Sequence, residues 1–183
     1  MRRLLLITGD IAAGKTTFSR ILAARCHAPV FQKDTIKEIL GDRIGFANRE
    51  ENRRLSSAAM QIMRHIFSSL AAADVPLILE ANFHTEELNV LHTLAAEHGY
   101  DVLTLVLRGE PEVLYGRYLY RMNEENRHPV HLSTTLHIRE DFLRTAAFIR
   151  SEHIPGHVIE VCATDCAYQT DAALLQQIDA FMQ

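Results

Sequence analysis

Short apolar runs alternate with longer stretches of helical periodicity along the whole chain. Five short runs predict β-strands because they are rich in aliphatic residues and lack a helical repeat. They cover Arg3 to Thr8, Val30 to Gln32, Pro76 to Glu80, Val102 to Leu107 and Val158 to Val161. The first, third and fourth show little polar alternation, which is typical of strands covered on both faces.

Between these runs, apolar residues recur every three to four positions and predict helices. One stripe follows the first strand from Phe18 to Leu22, and a long one runs from Leu55 to Leu70. Thr85, followed by two glutamates, predicts the N-cap of a helix that ends near His98. Further helices are predicted over Glu110 to Met122, Ser133 to Ser151 and Asp171 to Met182.

Alternating strands and helices predict an α/β fold with a mainly parallel sheet and helices on both faces, because parallel strands need long crossover connections. The chain has 183 residues and contains no repeat and no Pro/Gly/Ser linker, so we expect one domain over residues 1–183. In such folds ligands bind at the carboxyl ends of the strands.

Composition narrows the classes of partner. Nineteen basic and 23 acidic residues give a net charge of -4, and there is no Trp, so a long nucleic acid is a disfavoured partner. No apolar run reaches the length of a membrane span, and we expect no membrane association. Three cysteines form no disulfide framework, which predicts a cytoplasmic protein with reduced thiols. The sequence leaves the oligomeric state open.

The strongest motif lies between the first predicted strand and the helix that follows it. Residues 9–16 read Gly-Asp-Ile-Ala-Ala-Gly-Lys-Thr and match the phosphate-binding pattern GxxxxGK[ST] in full. Glycines let successive backbone N–H groups point at phosphate oxygens, and the helix adds its positive N-terminal end. Lys15 is expected to reach the β and γ phosphates, and the Thr16 hydroxyl to join Mg²⁺. The predicted nucleotide contacts are Gly9, Asp10, Ile11, Ala12, Ala13, Gly14, Lys15, Thr16 and Thr17.

With this loop and three weaker motifs, the chain resembles the P-loop kinase superfamily. The weaker motifs are Phe31 to Glu38, Leu77 to Phe83, and Glu112 to His131 with its spaced arginines. The similar proteins are AAA-domain kinases and relatives of polynucleotide kinase, chloramphenicol phosphotransferase, zeta toxin and gluconate kinase. The resemblance implies a three-layer P-loop NTPase fold with a five-stranded parallel sheet, and transfer of the γ-phosphate from ATP with Mg²⁺. It also implies a short helical or loop lid, at about residues 117–137.

Asp34 follows the second predicted strand, where the similar kinases have an aspartate that faces the acceptor and takes its hydroxyl proton. Phosphoryl transfer uses one such carboxylate to orient the attacking hydroxyl. The alternative is that Asp34 is only the N-cap of the next helix. Lys37 is a candidate for binding an anionic substrate.

The third predicted strand ends at Glu80, where similar folds place an acidic group near the magnesium ion. An aspartate is commoner there, so we expect Glu80 to act through a metal-bound water, with strand capping as the alternative. By the same resemblance, Asn82 and Phe83 would lie beside the acceptor, although an aromatic residue at position 83 is equally typical of a core.

Arg117 and Arg121 are one helical turn apart and precede a short polar segment that contains Arg127. We expect these guanidinium groups to fold over the transferring phosphate, neutralise developing charge and exclude water. The alternative is a solvated helix in which they pair with nearby glutamates. His128 and His131 lack the cysteine or carboxylate cluster of a metal site, and we expect them to be lid or surface residues.

These features favour a kinase that uses ATP and Mg²⁺ to phosphorylate a hydroxyl of a small-molecule or nucleotide-type acceptor. The alternative is a nucleotide-binding regulatory ATPase that acts as a switch through a protein partner. A switch needs neither an acceptor base nor an arginine lid, so Asp34 and the three arginines favour the kinase.

Overall fold

The computed structural model describes residues 2–125, 127–131 and 135–183. Within them the chain forms five β-strands and seven α-helices. The strands are β1 Arg3–Gly9, β2 Val30–Gln32, β3 Leu77–Glu80, β4 Asp101–Arg108 and β5 His157–Cys162. The helices are α1 Lys15–Cys26, α2 Lys33–Ile44, α3 Arg49–Ala71, α4 Thr85–Glu97, α5 Pro111–Glu124, α6 Arg139–Ser151 and α7 Ala172–Met182. A 3₁₀ turn covers Pro129–His131.

All pairings within the sheet are parallel, in the strand order β2-β3-β1-β4-β5. This confirms the predicted α/β fold with a five-stranded parallel sheet and helices on both faces. β1 lies at the centre, and its register places Ile7 beside Glu80, which in turn pairs with Gln32. The carboxyl ends of β1, β2 and β3 therefore meet at one edge of the sheet, where the predicted functional residues follow each strand.

The continuous apolar character of β1 reflects burial on both faces. Leu5 and Ile7 pack into a cluster with α1, α5 and α7, whereas Leu4 and Leu6 pack into a second cluster with α3 and α4. Each of these four side chains has no solvent exposure. Because successive side chains of a strand point to opposite faces, one unbroken run of aliphatic residues supplies both layers of core.

Two predicted helix starts need correction. The N-cap of α4 is His84 rather than Thr85, and the Glu87 carboxylate accepts from the His84 backbone N–H. α6 begins at Arg139 rather than Ser133; positions 133 and 134 lie outside the described residues, and a turn covers 135–138. The Tyr115 hydroxyl donates to the His137 carbonyl at 2.7 Å, which holds that carbonyl outside the helix.

The strand bounds and those of α5 and α7 agree with the predictions to within two residues. The helices predicted only from apolar stripes are longer than their stripes: α1 begins three residues before Phe18, and α3 begins six residues before Leu55. Among the described residues, no helix combines the length and apolar character that a membrane span requires.

Candidate active site

The loop between β1 and α1, called the cradle below, lines a cavity and depends on positive φ angles. Gly9 has φ 124°, and a Cβ there would lie 2.1 Å from the Leu107 carbonyl oxygen, so only glycine fits against β4. Gly14 has φ 85°, and a Cβ there would meet the Tyr168 hydroxyl at 2.5 Å. Ala12 also has a positive φ of 61°, an uncommon conformation for alanine. These backbone angles give the loop the shape that its glycine spacing predicts.

Lys15 folds back over this cradle. Its ammonium Nζ donates to the carbonyl oxygens of Gly9 at 3.1 Å and Asp10 at 2.7 Å, and the residue is 8% exposed. Burial lowers the pKa of Lys15, and the carboxylates of Glu80 and Asp34 act in the opposite direction. A positive charge at this depth is well placed to attract phosphate oxygens, because little water screens it.

Thr16 and Glu80 form the polar pair where Mg²⁺ was predicted. The Thr16 hydroxyl donates to Glu80 Oε2 at 3.1 Å, and Glu80 is 4% exposed. Burial raises the pKa of Glu80, and the nearby Lys15 ammonium lowers it. A hydroxyl and a carboxylate beside a phosphate cradle are oxygen donors of the kind that Mg²⁺ takes together with waters and phosphates. The donor set therefore fits this ion.

Asp34 lies in the first turn of α2, on the same side of the sheet edge as Lys15. The N-cap of α2 is Gln32, so the alternative interpretation of Asp34 as N-cap is wrong. The Asp34 side chain is 62% exposed and lines the same cavity as Lys15. An acidic residue in a first helical turn also interacts favourably with the helix dipole.

One cavity of about 650 Å³ brings most of the predicted residues together. Its size is in the range of small-ligand sites. The residues that line it include loop residues 11–17, the carboxylates Asp34 and Glu80, the amide Asn82, and the arginines Arg117, Arg121 and Arg127. Arg20, Gly116, Tyr120 and Glu125 also line it and had not been predicted.

The three predicted arginines hold different contacts within this cavity. Arg117 donates to the carbonyl oxygens of Ala163 and Thr164, both at 2.7 Å, so it braces the loop after β5. Arg121 pairs with Glu125 at 3.1 Å, which is the kind of contact that the solvated-helix alternative predicted for these arginines.

Arg127 lies over the ring of Tyr118, 5.8 Å from its centroid. Burial lowers the pKa of Arg127, and the neighbouring positive charge of Arg121 lowers it further. Two guanidinium groups that repel each other in a partly buried site would both be stabilised by a polyanion.

Four of the predicted residues do not line the cavity. Phe83 is 4% exposed and packs in the core beneath α4. Lys37 donates to the Val130 carbonyl at 3.1 Å, and burial lowers its pKa. Gly9 lies beneath the loop, and the Asp10 side chain points away from it. Position 126 and positions 132–134 of the predicted lid lie outside the described residues.

The structure adds an ion pair between a buried carboxylate and a partly exposed arginine that the sequence did not reveal. Asp10 is 1% exposed, and its carboxylate accepts from Arg150 of α6 at 2.6 and 3.1 Å and from the Gly109 backbone N–H at 3.1 Å. Arg150 also donates to the Gly109 carbonyl. The pair fastens the first residues of the cradle to β4 and α6. Its members are 140 positions apart, so no local pattern could indicate it.

Gln32 is a second supporting residue that was missed. Its side-chain amide donates to the Thr16 carbonyl at 3.0 Å and to the Ser19 hydroxyl at 2.7 Å, and its oxygen accepts from Arg20 at 3.2 Å. These contacts hold the end of β2 against α1. The available signal in the sequence was a polar residue at the end of a predicted strand, directly before Lys33 and Asp34. A side-chain amide that is buried at such a position needs hydrogen-bond partners.

Comparison with known proteins agrees with this arrangement. A family model described as an AAA domain matches residues 4–168. The chain belongs to this AAA-domain family. No curated protein matches the chain.

Solved structures with a fold similar to that of this AAA-domain protein include P-loop kinases. A protein of Chloroflexus aurantiacus J-10-fl, described as a "putative kinase", is 27% identical with a TM-score of 0.84, over 99% of this chain and 98% of the other. A gluconokinase of Sinorhizobium meliloti 1021 is 14% identical with a TM-score of 0.57, over 99% and 91% of the two chains. A shikimate kinase of Bacteroides thetaiotaomicron is 17% identical with a TM-score of 0.55, over 97% and 94%.

Proposed function

We propose that this AAA-domain protein is a cytoplasmic ATP-dependent kinase that transfers the γ-phosphate to a hydroxyl of a small-molecule or nucleotide-type acceptor. The observation that carries the proposal is the shared cavity of Lys15 and Asp34, a buried cation in a phosphate cradle and a carboxylate open to an acceptor. The solved structures of similar fold include kinases, which supports phosphoryl transfer as the reaction. The proposal of a hydroxyl group as the acceptor rests on the residues of this chain.

In this proposal, residues 11–17 bind the ATP phosphates through backbone N–H groups, and Lys15 moves its ammonium from loop carbonyls to phosphate oxygens. Thr16 and Glu80 would hold Mg²⁺, directly or through water. When bound, the ion offsets negative charge on the phosphates. The cradle, its cation and this donor pair all belong to the half of the cavity formed by β1, α1 and β3.

Asp34 would orient the acceptor hydroxyl and accept its proton as the oxygen attacks. Asn82, at the end of β3, would offer an amide to the acceptor in the same cavity. Arg121 and Arg127 would neutralise charge on the transferring group, with most of their effect in the transition state. Arg117, which already holds the loop after β5, would support the nucleotide site.

The test is whether ATP consumption requires an alcohol. Purified protein would be incubated with γ-labelled ATP, Mg²⁺ and, separately, gluconate, shikimate, glucose, thymidine, kanamycin, chloramphenicol and a 5'-hydroxyl dinucleotide. We expect a labelled product with at least one of these compounds, and roughly a hundredfold less product or lower with a Lys15→Ala control. Slow ATP hydrolysis that no compound accelerates would support the regulatory switch instead.

A further inference from the structure

Residues 127–131, called the lid segment below, dock on the helix that carries the candidate base. Val130 is 3% exposed and fits against Gly41 of α2, where a Cβ would lie 2.5 Å from a Val130 methyl group. The Val130 carbonyl accepts from Lys37 of α2 at 3.1 Å and from Asn52 of α3 at 3.0 Å. The lid segment is therefore anchored by its backbone at the acceptor side of the cavity.

Two histidines of the lid segment contact carboxylates of α2 in the same way. His128 Nε2 lies 2.9 Å from Asp42 Oδ1, and His131 Nε2 lies 2.8 Å from Glu38 Oε1. Asp34, Glu38 and Asp42 follow one another at intervals of four positions and share one face of α2. The two histidines differ in their second nitrogen: His131 Nδ1 is 3.9 Å from Asp34 Oδ2, and its side chain is only 11% exposed.

The hydrogen-bond partners assign the ring protons. An ionised carboxylate only accepts, so the His131 ring donates to Glu38 through Nε2–H. Nδ1 is then the ring nitrogen that faces the Asp34 carboxylate, at 3.9 Å from Oδ2 and beyond hydrogen-bond range. An unprotonated Nδ1 could accept a hydrogen bond from Asp34 once that carboxyl group carries a proton.

We propose that His131 is a positioning residue of the acceptor site, which takes from Asp34 the proton of the acceptor hydroxyl and holds it between Asp34 and Glu38. This inference rests on the proposed kinase function. The acceptor oxygen forms a bond to the γ-phosphorus, and the bond from that phosphorus to the β–γ bridging oxygen breaks, so that ADP keeps the electron pair. The proton passes from the acceptor to Asp34, then to His131 Nδ1, and finally to water.

The chain supplies a matched control for the kinetic test. His131→Gln keeps an amide that can donate to Glu38 but presents nothing to Asp34. His128→Gln makes the same change at a ring that contacts Asp42 and the Val130 backbone N–H but not Asp34. With the panel compound of highest turnover, we expect kcat to fall at least about tenfold in His131→Gln, because a positioned proton acceptor contributes factors of this size or more. We expect His128→Gln to stay within about twofold, and acceptor KM to change equally in the two variants.

A second measurement needs no acceptor. Long-range ¹H–¹⁵N spectra of the histidine rings would be recorded for the unmodified chain, Asp34→Asn and Asp42→Asn. We expect the Nε2–H tautomer at His131, and an Nδ1 signal that moves in Asp34→Asn but not in Asp42→Asn.

The role of His131 alone would be overturned if the two glutamine variants had equal kcat values while the unmodified protein showed normal transfer. It would also be overturned if the Nδ1 signal did not move in Asp34→Asn. Absence of transfer by the unmodified protein to every compound would overturn the proposed function as well.

Discussion

The phosphate cradle and the acceptor side of the same cavity are built by different means. The cradle consists of backbone from one continuous loop, with Lys15 and Asp10 buried and the loop fastened by Arg150. The acceptor side consists of side chains from α2 and the lid segment, with Asp34 mostly exposed and α2 joined to the lid segment through Glu38 and His131. In the proposed function, the buried cradle would bind the triphosphate, which is the same for every kinase that uses ATP. The exposed side chains would bind the acceptor, which differs from one kinase to another.

The largest effect is expected on the acceptor side. Asp34→Asn keeps the size of the side chain but cannot accept a proton, so we expect transfer to fall by about 10² to 10⁴ while ATP binding is retained. Thermal stability should change little, because the N-cap of α2 is Gln32. Transfer rates and nucleotide affinity would be measured together, with Asp42→Asn on the same helix as the control. Normal transfer by Asp34→Asn would end its assignment as the base.

On the cradle side, Lys15→Ala removes the buried ammonium that is expected to bind the β and γ phosphates. We expect the fold to survive and transfer to fall by roughly a hundredfold or more, the size found for one preorganised charge donor. Circular dichroism would check the fold, and labelled-phosphate transfer would check the rate. A variant with wild-type rates would contradict the ATP site.

The third prediction concerns stability rather than rate. Arg150→Met leaves the Asp10 carboxylate buried without its cation. We therefore expect the free energy of unfolding to fall by about 2 to 3 kcal/mol. This loss is smaller than that for a fully buried pair because the Arg150 side chain is 31% exposed. Denaturant unfolding would measure it.

The double variant Asp10→Asn with Arg150→Met should recover part of this loss, since no buried charge then remains. Arg54→Met, at an exposed pair with Glu50, should cost less than about 0.5 kcal/mol. Equal losses at Arg150 and Arg54 would contradict the description of the cradle as the rigidly fastened half.

The smallest effects are expected at the predicted lid arginines. Arg121→Ala and Arg127→Ala should each lower kcat by about tenfold and leave nucleotide affinity nearly unchanged, because their contacts strengthen as charge develops. Arg117→Ala should also weaken nucleotide binding, since Arg117 holds the carbonyls of Ala163 and Thr164. Steady-state kinetics with separate nucleotide-binding measurements would resolve these cases. Normal turnover in all three variants would make this region an ordinary surface segment.

The sequence by itself determined the strands, the order of the predicted helices and the shape of the loop after β1, because these depend on interactions between residues close together in the chain. Apolar runs and periodic stripes specify elements locally, and the spacing of Gly9, Gly14 and Lys15 specifies a loop with positive φ angles whose lysine folds back on the loop carbonyls.

Tertiary structure decided whatever depends on partners far apart in the sequence. Asp10 was predicted among the nucleotide contacts of the loop, and folding places its carboxylate against Arg150 of α6. Phe83 was predicted either beside the acceptor or in the core, and it fills the core, while Lys37 contacts the lid segment instead of lining the cavity. The contacts of His131 with Glu38 and Asp34 join residues more than 90 positions apart. Only the packing of α2 against the lid segment brings them together, and no local pattern of residues encodes that packing.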